Sequence, residues 1–360
     1  DAQLESSLVA TPYIETGAST AQAGILENTP RFDYSGGATC PSLLLEPSRS
    51  NQITQSEYFG GWTVNTTITA NAALSPEGVQ NAYNIASNSG VGNGILAISG
   101  ALSSTQYVCS IYVKSAGATT GKLRLFDGST GASTTTTFTP TSEWQRVEVT
   151  RTSGAGTFQF RTDIHSNDGD LLIYGAQLEA GSYSTSYIPT YGVSQTRALD
   201  NCLKTGVSSL IGQSNGTLFV EVGVFPKETN GRIFGISDGS TNKYIIIIKN
   251  STNTDFAVYV TNNGGQVTYQ GTGSLNDNSK IAVGYANNDY VIYVNGTQVH
   301  TDTSASVPTC SNIYVGQREN GSGTYVAGGS VKQALLFKTR LSNLDLAILT
   351  GATTYNTFAE

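Results

Sequence analysis

Methionine is absent from all 360 residues, and histidine and tryptophan occur only twice each. Charge is also scarce, at 12% of residues against roughly 25% in an average soluble domain. The 19 Lys and Arg form no basic block, and with a net charge of −7 they argue against nucleic acid as the main partner. No apolar run approaches the roughly 18–20 residues that span a bilayer, so membrane insertion is not expected. A basic stretch followed by an apolar one, the mark of a signal peptide, is not visible at the N-terminus. The four cysteines, Cys40, Cys109, Cys202 and Cys310, lie far apart with no CxxC and no Cys/His cluster, so metal-ligand spacing is missing. GxSxG, HExxH and GxxxxGK[ST] are all missing, which leaves an enzymatic reading without a motif. Both histidines, His165 in DIHSNDGD and His300 in TQVHTD, read as surface residues rather than catalysts.

What is abundant is Thr, Ser, Asn and Gly, with 40 Gly and 19 Tyr. Thr, Tyr, Val and Ile favour strands while Gly, Asn and Ser mark turns, so the composition is that of an all-β protein. Short runs such as QYVCSIYVKS, KLRLFDG, EWQRVEVTRT and DLLIYGAQLE follow one another at the spacing of a sandwich rather than a βαβ fold. In QYVCSIYVKS the alternation points Cys109 inward. A second series runs from Gly216: TLFVEVGVF, KYIIIIKN, DFAVYVTN, KIAVGYAN and DYVIYVNGTQVHTD. In the last of these, Asn295-Gly296 predicts a hairpin, because both central residues of a type I′ turn need positive φ. LSNLDLAIL predicts the one helix, with Ser342 as N-cap, Asp345 three residues on, and Leu344, Ile348 and Leu349 on one face.

One phrase occurs twice. Residues 2–16 read AQLESSLVATPYIET and residues 176–190 read AQLEAGSYSTSYIPT, matching without a gap at Ala, Gln, Leu, Glu, Thr, Tyr, Ile and Thr. Self-similarity of this kind marks one structural unit occurring twice. The second copy closes a long strand-rich stretch, so the first reads as the terminal strand of an upstream domain whose body is missing. The expected organisation is therefore residues 1–17 as that strand, 18–40 as a connector, 41–196 as a first sandwich, 197–209 as a linker, and 210–360 as a second sandwich.

PRFDYSGGATCPSLLLEPSRSN, YVCSIYVKSAG, EWQRVEVTRT and AQLEAGSYSTSYIPTYGVSQTRALD resemble segments common in bacteriophage virion proteins of the tail, tail-fibre and head-fibre type. The 41–196 unit is similar to carbohydrate-binding jelly-roll modules, and the 210–360 unit resembles laminin-G/concanavalin A-like lectin domains. Tandem antiparallel β-sandwiches, a jelly roll followed by a concanavalin A/laminin-G-like sandwich, are what this resemblance implies. It also implies a location on the virion surface after assembly in the reducing host cytoplasm, where the four dispersed cysteines are expected to form no disulfide, partners among other virion proteins, homo-oligomers (most often trimers), and binding to host-surface glycans. Two rival readings remain open: a purely structural decoration or assembly protein, and the binding module of a polysaccharide-active enzyme.

Sugars need an aromatic platform for their C–H faces and planar polar groups for their hydroxyls. Tyr58 and Trp62 in SEYFGGWTV supply rings in the first unit. In the second, Asn230, Arg232, Asp238, Asn242, Arg318, Asn320 and Tyr325 fall in turn-rich segments, with Arg232, Asp238, Asn320 and Tyr325 leading. Trp144 reads as packing. The jelly-roll resemblance implies a structural Ca2+, although the family carboxylate of the last strand is replaced here by Tyr174-Gly175. Asp163, Asp168 and Asp170 offer carboxylates for a cation, or else form a solvated acidic turn.

Overall fold

The computed structural model describes residues 30–34, 41–64, 66–88, 95–98, 105–127, 131–152, 160–224, 231–250, 255–271, 276–320 and 329–351. The chain divides into two compact units, one holding Ser48–Ala198 and the other Ile25–Pro47 with Leu199–Glu360. Both are all-β, and every pair of strands among the described residues is antiparallel.

In the first unit one five-stranded sheet runs Gln145–Thr152, Gln106–Ala116, Asp170–Ala180, Ala82–Ile85, Ile68–Ala73. Its partner runs Ala132–Phe138, Gly121–Asp127, Phe160–Ser166, Ile95–Ile98, Thr63–Val64. Alternation does the sorting: Cys109, Ile111, Val113, Leu171 and Ile173 of one sheet pack with Leu123, Leu125 and Ile164 of the other in a core from which water is excluded. The inward position expected for Cys109 is borne out. His165, expected at the surface, is instead 3% exposed on strand Phe160–Ser166, because that strand runs through the predicted loop. Trp144 is half-buried outside the core and donates to the Leu74 carbonyl at 3.0 Å.

In strand Asp170–Ala180 the register shifts between Tyr174 and Gln177, with Gly175 at φ 61. A residue with a Cβ rarely adopts that conformation, and such a bulge adds one residue to one strand only. As a result Tyr174, opposite Tyr112, and Gln177 and Glu179, opposite Ser110 and Val108, all lie on the face away from the core. The returning chain settles on this face. Glu179, fully buried, accepts from Thr185 N and Oγ1 at 2.7 Å each, and Gln177 Oε1 accepts from Ile188 N at 2.7 Å. Asn51, also fully buried, donates through Nδ2 to the carbonyls of Ala176 and Ile188 and accepts through Oδ1 from Ile53 N and Leu178 N. Strand Gln195–Arg197 then pairs with Arg49–Asn51.

The second unit packs a seven-stranded sheet (Phe32–Asp33, Ser42–Leu45, Gly329–Phe337, Asn215–Val222, Lys280–Ala286, Asp289–Val294, Thr297–Asp302) on a six-stranded one. The six are Cys202–Lys204, Asn312–Val315, Gly231–Ser237, Lys243–Lys249, Phe256–Asn262 and Gly265–Gly271. Asn295 and Gly296 have φ 48 and 85, so the predicted hairpin is present. Helix Asn343–Thr350 is capped as expected, Ser342 Oγ accepting from Asp345 N at 3.1 Å. Its buried residues are Leu346, Ala347 and Thr350, whereas Leu344 is 38% exposed, which corrects the predicted face.

The boundaries also differ from expectation. Residues 41–47, expected in the first sandwich, belong to the second, because Leu43 and Leu45 pair with Val331 and Gly329 and pack into its core. The 18–40 connector contributes strand Phe32–Asp33, and the 197–209 linker contributes strand Cys202–Lys204. A charge clamp ties these pieces together. Arg31 Nη1 reaches Glu46 Oε2 at 2.7 Å, and its Nε and Nη2 both donate to the Asp200 carboxylate. Asp200 Oδ2 also accepts from Glu46 N at 2.7 Å.

Cys109 and Cys310 are buried and Cys202 is half-buried, and Cys40 lies outside the described residues, as does the predicted strand at 2–16.

Candidate functional site

In the second sandwich two arginines converge on one carboxylate. Arg232 sits where strand Gly231–Ser237 slips register against its neighbour. Its Nε donates to Glu319 Oε2 at 3.1 Å, and Arg318 Nε donates to Glu319 Oε1 at 3.3 Å. Glu319 is 3% exposed, and its backbone oxygen accepts from Ser237 Oγ at 2.7 Å. That bond brings the turn starting at Asp238 beside the Arg318–Asn320 turn. Asp238 Oδ1 accepts from Ser240 N and Oγ at 2.8 and 2.6 Å, and Ser240 Oγ accepts from Asn242 N, which fixes the turn with its carboxylate exposed. The result is two guanidinium groups, one buried and one exposed carboxylate, and the exposed Asn320. Of the four leading residues, Arg232, Asp238 and Asn320 are brought together; Tyr325, like Asn230, lies outside the described residues. Glu319, which organises the group, was missed, since a lone Glu in REN carries no periodic or motif signal.

In the first sandwich Tyr58 and Trp62 do not form a platform. Trp62 is 8% exposed, its ring centroid lies 4.9 Å from that of Phe59, and its Nε1 donates to the Gln55 carbonyl at 2.9 Å. It is a core residue, and the expectation of glycan contact is corrected: a ring packed inside a core has no face left for a sugar. Tyr58 remains 44% exposed.

The acidic turn is likewise occupied by its own chain. Asp168 accepts from Thr119 N and Oγ1, Thr120 N and Ser166 Oγ, and these bonds, the Thr119 hydroxyl foremost, lower its pKa to about 2. Asp170 accepts from Asn84 Nδ2 at 2.9 Å and Ser87 N at 3.1 Å. Asp163 stands on strand Phe160–Ser166 opposite Arg124, and its side chain lies outside the described residues. A cation here would have to displace the hydrogen bonds that shape the loop. Among the described residues no group of three or more His, Cys, Asp or Glu is placed to hold a metal.

Buried carboxylates show a different pattern. Glu46, Asp127, Glu179 and Glu319 each face an arginine: Arg31, Arg151, Arg49 and Arg232 respectively. Glu57, 3% exposed, faces tyrosines instead, with the hydroxyls of Tyr187 and Tyr191 each 3.2 Å from its Oε1. Burial, and then the nearby Glu77, raise its pKa above 4.5, while the hydroxyls of Tyr174, Tyr187 and Tyr191 pull the other way. A carboxyl whose folded pKa is raised binds its proton more tightly folded than unfolded. Its ionisation therefore opposes folding at neutral pH, and stability returns as the pH falls through the raised pKa towards 4.5. Glu57→Gln is expected to raise the melting temperature at pH 7.5 and to leave it unchanged near pH 4.5. A lower melting temperature at pH 7.5 would instead show that the tyrosine hydroxyls stabilise the carboxylate by more than its burial costs.

No protein-family model matches the chain, and no curated protein matches it. Solved structures do. The CBM40 module of the Ruminococcus gnavus IT-sialidase is 16% identical, with 42% of this chain and 94% of that one covered at a TM-score of 0.36. Domains LG4-5 of the mouse laminin alpha1 chain are 12% identical, covering 89% and 93% at a TM-score of 0.31. The NanB sialidase of Streptococcus pneumoniae is 17% identical, covering 41% of this chain and 26% of that one at a TM-score of 0.36. The sandwich architecture itself stands on the strand pairing described above. No helix among the described residues is long and apolar enough to cross a membrane.

Proposed function

We propose that this chain is a non-enzymatic glycan-binding protein of a phage virion, a fibre or tail appendage that presents its second sandwich to sugars on the host surface. The observation that carries the glycan reading is the Arg232–Glu319–Arg318 group, with Asp238 and Asn320 exposed beside it. Guanidinium groups offer forked donors to hydroxyl or carboxylate oxygens, the carboxylates accept from hydroxyls, and the turns that hold them are fixed by their own hydrogen bonds. Affinity at one such shallow site is low, and linked copies in a homotrimer or on a virion raise effective concentration without new contacts. The virion assignment is supported by the recurring segments read in the sequence.

Host cells labelled with the purified chain should lose the label after periodate oxidation of their surface glycans, and a glycan array should give the sugar class. Arg318→Ala is expected to weaken glycan binding roughly 5–30-fold, the equivalent of about 1–2 kcal/mol. Its side chain is 29% exposed, and a surface ion pair contributes about 0–1 kcal/mol, so the melting temperature should move by no more than about 4 °C. If Arg318→Ala, Asp238→Ala and Asn320→Ala all bind cells as the parent does, the protein is scaffold or binds elsewhere. Turnover of host polysaccharide by the parent would instead assign it to a glycan-active enzyme.

A further inference from the structure

Asparagine followed by glycine suits tight turns, and the same pair carries a chemistry of its own. Asn-Gly occurs at Asn93, Asn215, Asn230, Asn263, Asn295 and Asn320, and the pairs at 215, 263 and 295 have both residues described. With no Cβ to shield it, the glycine N–H can approach and attack the carboxamide carbon of the asparagine before it. The new N–C bond closes a succinimide, the carboxamide C–N bond breaks, and ammonia leaves with the glycine proton. Water then opens the ring at either carbonyl, giving aspartate or isoaspartate. The carboxamide must be free to turn, and the glycine N free to reach it.

Two of the three pairs are held against this. Asn295 Oδ1 accepts from Lys280 N at 2.9 Å, and Gly296 N donates to Thr350 Oγ1 at 3.0 Å. Thr350 is 1% exposed and its hydroxyl donates to Leu346 O at 2.8 Å, so the helix keeps the nucleophile of the hairpin in place. Asn215 Oδ1 accepts from Arg340 N at 3.1 Å, and its Nδ2 donates to Ser214 Oγ at 3.2 Å. Gly216 is buried in strand Asn215–Val222 against the Tyr285 hydroxyl.

Asn263-Gly264 has neither restraint. It turns the chain from Phe256–Asn262 into Gly265–Gly271, the edge strand of the six-stranded sheet. Asn263 and Gly264 have φ 57 and 153, and both are exposed. Among the described residues no hydrogen bond holds the Asn263 carboxamide or Gly264 N, and a Cβ on Gly264 would meet nothing within 4 Å. The backbone bonds of the turn, Asn263 N to Asn242 O at 2.8 Å and Asn262 N to Gly264 O at 3.0 Å, leave both reacting atoms free.

We propose that Asn263 is a site of spontaneous modification, converted through Gly264 N to aspartate and isoaspartate in the folded chain while Asn215 and Asn295 are preserved. The product carries a new carboxylate, and as isoaspartate an extra backbone atom. It forms beside the turn that holds Asp238, since Asn242 N donates to Ser240 Oγ and Ser240 N to Asp238 Oδ1. Any effect on sugar binding rests on the proposed function; the reaction itself does not.

The full chain, kept folded at mildly alkaline pH and mapped over time by peptide mass spectrometry, tests the proposal beside a sample in guanidinium chloride. Two hydrogen bonds to be broken first slow a reaction about tenfold or more, so Asn263 is expected to convert about ten times faster than Asn215 or Asn295 in the folded chain. In guanidinium chloride, where the same residue follows each asparagine and no fold restrains it, the gap is expected to close. Equal rates in the folded chain, or a gap that persists in guanidinium chloride, would overturn the inference.

Discussion

Replacing Arg31 by alanine is expected to cost the second sandwich about 3–5 kcal/mol, the usual consequence of removing one partner from a buried ion pair. The side chains of Arg31 and Glu46 are 9% exposed and that of Asp200 is 22% exposed, so solvent screens the group little. Without the guanidinium, two carboxylates face each other across the junction of three chain segments. Asp200 would still accept from Glu46 N, but its charge would have no counterpart. Hydrogen exchange should read the loss locally, with protection falling in Ser42–Leu45 and Gly329–Phe337 and unchanged in Gln106–Ala116 of the first sandwich. Adding Glu46→Gln to Arg31→Met should recover part of the loss, because the uncompensated charge is what costs most. A loss below about 1 kcal/mol would place the clamp with solvent-screened surface pairs.

The second large effect is expected at Asn51. Its carboxamide makes four hydrogen bonds in a site with no exposure, two given to carbonyls and two received from backbone N–H groups. Asn51→Ala leaves Ile53 N, Leu178 N and the oxygens of Ala176 and Ile188 without those partners. At about 1–3 kcal/mol for each buried polar group that stays unsatisfied, and with water recovering some, the expected loss is about 4 kcal/mol. Asn51→Asp should not rescue it: the acceptor half survives, but the donors vanish and a buried charge faces two carbonyl oxygens. Chemical denaturation followed by exchange in Asp170–Ala180 is the appropriate measurement. A loss under about 1.5 kcal/mol would mean that water replaces the carboxamide.

Both residues sit inside the segments that resemble virion proteins, which bears on what a single sequence discloses. Local rules were readable: the alternation around Cys109, the Asn295-Gly296 turn and the Ser342 cap each depend on neighbours a few residues away. The Arg31–Asp200 contact joins residues 169 apart, and no period or motif connects them, so the segments read as a family mark rather than as a clamp. The same limit misplaced residues 41–47, whose apolar alternation suits either sandwich. It also misassigned Trp62, since a tryptophan after Gly-Gly reads alike in a binding loop and a core until a carbonyl such as that of Gln55 is found to receive its N–H. Of the site, residue types could be chosen from turn-rich segments, but convergence on Glu319 required the fold.

The bulge at Gly175 has a consequence for how this protein can vary. Side chains on a strand alternate between faces, so the one extra residue is what sends Gln177 and Glu179 to the outer face and Leu178 to the core. Pairing this stretch in plain alternation with no residue deleted would put an amide and a carboxylate into the apolar interior and turn a leucine outward, whereas deleting the one extra residue leaves every face as it is. Substitutions at the exposed Ala180 and Pro189 disturb far less. Diversity in this segment is therefore expected at those positions, while loss of the glycine at 175 is expected to come with loss of one residue beside it, the change that straightens the strand and keeps its faces.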